Sequence, residues 1–167
     1  MPRIIIWVLC AFFLIRGASA IAEEKPAATI REYGRFVAVV LGAEKAEKTS
    51  GGINLEGTDL RHIETTKTIP CRVGEIWGFA ADLHNLPKDR DFTVRSETLH
   101  PAIKQPDGSV LTKSVGENKY KAGTESLGQS FWCFQKGYEY ELVPGQWTMK
   151  IFVDDQEVAS MTFEVVK

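Results

Sequence analysis

The C-terminal stretch GYEYELVPGQWTMKIFVDDQEVASMTFEVVK alternates apolar and polar residues in three successive runs separated by short polar turns. Tyr138, Tyr140 and Leu142 share one face of the first run. Trp147, Met149, Ile151 and Val153 share a face of the second, and Ala159, Met161, Phe163 and Val165 a face of the third. A period of two sets alternate side chains on one side of a pleated strand. Glu139, Glu141, Thr148, Lys150, Thr162 and Glu164 then take the solvent side. A chain ending this way is expected to be all-β, an antiparallel sandwich with one apolar face on each strand.

The preceding residues extend the pattern. Ile30 to Leu41 is rich in β-branched and aromatic residues and predicts the first strand, followed by a solvated loop from Ala43 to Gly52. Further strands are expected over Leu60 to Ile69, Glu75 to Leu83, Phe92 to Leu99, Val110 to Val115 and Ser130 to Phe134. Pro106-Asp107-Gly108 marks a turn, and Val143-Pro144-Gly145-Gln146 fits a type II turn. Gly116 to Gln129 shows no periodicity and predicts a long loop. About eight short strands with turn signals between them, and no amphipathic helix, are the pattern of an immunoglobulin-like sandwich.

The N-terminus reads differently. Arg3 precedes an apolar run of twelve residues, Ile4 to Ile15, and Ala18-Ser19-Ala20 offers a small-x-small cleavage pattern. Residues 1–20 are expected to be a signal peptide, helical in its apolar core, that sends the protein to the periplasm or the exterior. A membrane span needs roughly 20 apolar residues, and Arg16 ends this run first. Cys10 lies inside the apolar core rather than behind small residues, which argues against lipoprotein processing. Residues 21–28 form a charged, Pro-containing leader, and residues 29–167 the sandwich domain.

Cleavage would remove Arg3 and Arg16 but no acid, taking the formal charge from −2 to −4, with 18 basic against 22 acidic residues. An acidic domain without a basic patch excludes a nucleic-acid footprint. Cys71 and Cys133 would remain, and an oxidising compartment favours a disulfide between them. Closing that loop would constrain the unfolded chain by about 4 kcal/mol on the loop-entropy account; two buried thiols are the alternative.

No motif announces chemistry. His62, His84 and His100 are far apart and lie outside any metal-binding spacing, so no metal or cofactor is expected. Glu139 and Glu141 could be paired acids, but the outward half of an amphipathic strand looks the same. Nucleophile elbow, phosphate loop and dinucleotide fingerprint are all absent from the sequence. Phe131-Trp132-Cys133-Phe134 puts bulk on both faces of one strand, so Trp132 and Phe134 are the candidate binding surface.

Glu32-Tyr33-Gly34, Ile69-Pro70, Gly74, Gly78-Phe79, and Glu141-Leu142-Val143-Pro144-Gly145-Gln146-Trp147 with Phe163 together resemble an exported bacterial family, domain of unknown function 3859. The resemblance implies an envelope protein and brings no catalytic residues. The expectation is a non-catalytic binding or accessory domain whose partner is an envelope protein or small ligand. An adaptor that captures a partner strand at a sheet edge and a hydrolase without a recognisable motif are the alternatives.

Overall fold

The computed structural model describes residues 24–45 and 47–167; the expected signal peptide lies outside them. Nine strands are described: β1 (Ala27–Lys45), β2 (Ile53–Glu64), β3 (Thr68–Pro70), β4 (Ile76–His84), β5 (Phe92–Lys104), β6 (Val110–Tyr120), β7 (Leu127–Cys133), β8 (Gly145–Val153) and β9 (Gln156–Val166). They form a four-stranded sheet in the order β2-β1-β4-β7 and a five-stranded sheet in the order β3-β9-β8-β5-β6. All pairings are antiparallel except β3 on β9, which is parallel over three residues. Among the described residues no helix is long and apolar enough to cross a membrane.

The two sheets meet through the alternating faces that the sequence advertises. Trp77, Phe79 and Ala81 of β4 bury against Trp147, Met149 and Ile151 of β8 and Phe163 and Val165 of β9. Trp77 is the centre of this core. Its ring stands edge-on to Trp147 at 5.5 Å and to Phe163 at 5.2 Å, a geometry that adds about 0.5–1.5 kcal/mol per pair beyond burial. The indole of Trp147 donates to the Val143 carbonyl at 3.0 Å, which satisfies its buried polar edge.

Several boundaries differ from the expectation. Tyr138 to Leu142 is not a strand: Glu139–Glu141 forms a 3-10 turn. Gly137 in a left-handed conformation turns the chain there, and its N–H is taken by the Glu139 carboxylate at 3.0 Å. β1 begins inside the expected leader, at Ala27, and runs to Lys45, shrinking the expected loop after it. The long loop from Gly116 to Gln129 is also corrected. β6 continues to Tyr120 because β5 offers it a matching ladder, ending where Phe92 and Tyr120 stack at 5.5 Å.

The longest hairpin, β1 with β2, changes register three times. Such irregularities bend a strand pair. Its tip turns toward the second sheet, where the Val115 N–H of β6 donates to the Lys48 carbonyl at 2.9 Å.

Candidate functional site

Strand order leaves β7 at one edge of the first sheet and β6 at one edge of the second. A groove of about 620 Å³ lies along them under the tip of the β1–β2 hairpin, a size usual for ligand sites. Gln129 to Cys133 all line it, as do Ser114 to Asn118. Alternate side chains of a strand point to opposite faces. A groove touched by every residue of a run therefore follows the strand's edge rather than one face.

The β7 edge carries free backbone groups. The Phe134 N–H donates to the Glu75 carbonyl at 3.0 Å, and Gly78 faces Phe131 in the close, non-bonded positions of the ladder. Alternation along an antiparallel pair then turns the N–H and C=O of Gln129 and Phe131 away from β4. Neither residue's backbone has a hydrogen bond outside the ladders among the described residues. Exposed edges are commonly blunted by Lys, Pro or a bulge. The β7 sequence LGQSFWC contains neither Lys nor Pro.

A buried polar cluster closes one end of the groove. Ser50, from the hairpin tip, donates its hydroxyl to Glu141 and its N–H to Ser114 Oγ, the latter at 3.0 Å. Tyr140 OH donates to the Ser50 carbonyl at 3.3 Å. Behind Ser114 stands His100. Its Nδ1 lies 2.9 Å from the Pro101 carbonyl, which can only accept, so Nδ1 carries the ring proton. Nε2 is left to accept from the Ser114 hydroxyl at 3.3 Å. Burial lowers the His100 pKa, opposed by the Pro101 carbonyl. Burial raises that of Glu141, opposed by the Ser50 hydroxyl. Both shifts favour the neutral form, as a low-dielectric pocket requires.

Trp132 stands in the groove wall, against His100 at 5.8 Å and Trp147 at 5.0 Å. Its indole N–H finds no acceptor among the described residues. Phe134, the other expected surface residue, is fully buried against Trp77 and Trp147; it belongs to the core, just beyond the end of β7. Phe131, on the opposite face of β7 from Trp132, also lines the groove and packs edge-on to Phe36 at 4.8 Å.

The three histidines do not converge. His62 bonds the Tyr33 carbonyl, His84 the Thr29 hydroxyl, and His100 the cluster just described. Among the described residues no three His, Cys, Asp or Glu side chains gather as metal ligands. The expected disulfide is likewise not formed: Cys71 and Cys133 are free thiols. Their surroundings differ, Cys71 lying near Lys167 and Cys133 near Glu141, and burial raises both thiol pKa values.

Ser50, Asp59, Ser114, Glu117 and Gln129 were not singled out by the sequence. Each is an ordinary polar residue on its own strand or loop, and only sheet order brings them together. Asp59 alone carries a local mark, a left-handed backbone with φ of 54° on the groove wall, which is uncommon for a non-glycine residue.

Among solved structures, an immunoglobulin-like protein from Pseudomonas aeruginosa is similar over 87% of this chain and 99% of its own, with 21% identity and a TM-score of 0.60. That likeness shows the fold. An alkylpurine DNA glycosylase from Pseudomonas fluorescens overlaps 62% of this chain and 28% of its own at 16% identity and a TM-score of 0.43, too distant to bear on either fold or function. No curated protein matches the chain. Residues 24–165 match the family described as domain of unknown function 3859, which spans every strand of the sandwich. With its all-β immunoglobulin-like fold, the chain belongs to that family.

Proposed function

We propose that this protein is an exported, non-catalytic binding domain of the bacterial envelope, and that the groove between the β6 and β7 edges is its site. The observation that carries the reading is the open β7 edge, flanked by Trp132 and Phe131 and roofed by the β1–β2 hairpin. Export rests on the N-terminal Arg3, the apolar run to Ile15 and Ala18-Ser19-Ala20, and gives the domain a periplasmic or secreted location. A photo-crosslinking side chain at Gln129, compared with one at Ser160 in β9, tests the site in envelope-fractionated cells. Adducts from Gln129 and not from Ser160 are expected. Equal adducts from both, or a cytoplasmic protein retaining Met1, would contradict the reading.

A hydrolase reading is favoured by one observation, the Ser114 hydroxyl on a neutral His100. A nucleophile also needs donors for the oxyanion, and the neighbouring Ser50 N–H is already spent on Ser114 Oγ. Labelling of Ser114 by a fluorophosphonate would decide for the hydrolase; an unlabelled folded protein decides for binding.

A further inference from the structure

The groove has a definite charge. The acidic residues lining it are Asp59, Glu117 and Glu141, and among its described lining residues there is no Lys, Arg or His. This is a selective distribution in a chain with 20 basic residues. Glu141 is buried and engaged by Ser50. Asp59 and Glu117 are exposed, and neither has an ion-pair partner among the described residues. Tyr120, Tyr138, Phe131 and Trp132 add aromatic surface to the same walls, and aromatic faces attract cations.

The backbone and the side chains make different demands, and one class of occupant meets both. Outward N–H and C=O groups on β7 ask for an extended backbone that returns hydrogen bonds at the spacing of a strand. The carboxylates ask for positive charge. A small cation would satisfy only the second demand, and a neutral apolar ligand neither. We infer that the groove takes an extended, positively charged polypeptide segment as an added strand on β7, bonded through Gln129 and Phe131, with its Lys or Arg side chains beside Asp59 and Glu117. This rests on the groove being a binding site, and it names the partner class. Side chains on alternate positions of that segment would face the aromatic walls, and the hairpin tip, held by Ser50, would lie over it.

The test is an amide-resolved NMR titration of the mature chain with a seven-residue peptide alternating Lys and Val, capped at both ends and matching the length of β7. Three controls accompany it: a Glu-for-Lys peptide, the basic peptide N-methylated at alternate residues, and the Gln129→Pro protein. Shifts confined to β7, β6 and the hairpin are expected with the basic peptide. Affinity should fall about tenfold or more, the equivalent of ~1.4 kcal/mol, on N-methylation in whichever phase faces β7, and likewise for Gln129→Pro. Asp59→Asn with Glu117→Gln should remove most of the salt dependence. N-methylation tests the backbone bond on unaltered protein, so a poorly folded proline variant would leave the result intact. Equal binding of acidic and basic peptides would overturn the charge assignment; indifference to N-methylation in both phases, or no shift in the groove, would overturn the added strand. The binding-domain reading is decided separately by the Gln129 crosslink, which requires no peptide.

Discussion

Gly34 and Gly78 face each other across β1 and β4, and both have positive φ, 121° and 150°. A Cβ on Gly78 would fall 2.1 Å from the Ser130 carbonyl oxygen of β7, a backbone atom with little freedom to retreat. The close approach of β7 to β4 thus depends on the missing side chain. Gly78→Ala should destabilise the domain by about 3 kcal/mol or more, measured as a lower urea midpoint, and should loosen β7 first. An unchanged midpoint would show that the strands can part at no cost.

His100 gives the residue scale a pH dependence. Its folded pKa lies below its ordinary 6.5 because burial disfavours the charge, so near and below that value the unfolded chain binds more protons. Stability is then full above pH 6.5 and falls as pH drops toward the depressed folded value. Glu141 acts in the opposite sense. Its raised pKa favours the folded state in acid, and that contribution is lost as pH rises through the folded value. Comparing melting temperature at pH 7.5 and 5.5 for wild type and His100→Gln separates the two. The wild type should lose more on acidification; equal losses would remove His100 from the account.

At the scale of elements, the hairpin tip is bonded to its surroundings through Ser50 and Lys48. Ser50→Ala removes the hydroxyl that serves Glu141, which should cost about 1–3 kcal/mol by leaving a buried acceptor unmet. It should also speed amide exchange at Val115, whose N–H bonds Lys48 on the same tip. Unchanged exchange there would mean that the tip is held by other contacts. Thiol chemistry reports on a second element. Burial raises the pKa of both Cys71 and Cys133, so alkylation at pH 8 should be slow in the folded protein and complete in denaturant without reductant. Protection that persists in denaturant would indicate a disulfide.

The strands of the core were legible because period two is local: Trp147, Met149, Ile151 and Phe163, Val165 each declare a face within one run, and the structure buries them together. The run from Tyr138 to Leu142 alternates in the same way and folds as a 3-10 turn. Gly137 turns the chain there, and Glu141 of that turn bonds Ser50, 91 positions earlier in the chain, a contact that no local pattern records. Trp132 could be noticed as surplus bulk. Which strand lies at an edge, and which edge faces another across a groove, depends on sheet order alone. For that reason Asp59, Glu117 and Gln129 carry no local signal, and nothing local separates Phe134, which is buried, from Trp132, which lines the groove.

On the scale of the whole molecule, the fold supplies a rigid frame and leaves β7 as an edge strand of the first sheet. Trp77, Trp147 and Phe163 lock the two sheets together through their centre, while the β6 and β7 margins flank the groove. An open edge of this kind is a hazard unless it is covered, and here the hairpin roof limits access without pairing β7. The account therefore turns on the state of that edge. Residue-resolved hydrogen exchange in the free protein tests it most directly. The amides of Gln129 and Phe131 are predicted to exchange rapidly while those of Ser130 and Trp132, turned toward β4, remain protected. Strong protection of all four would show that β7 is already paired, and would contradict the groove as a binding site.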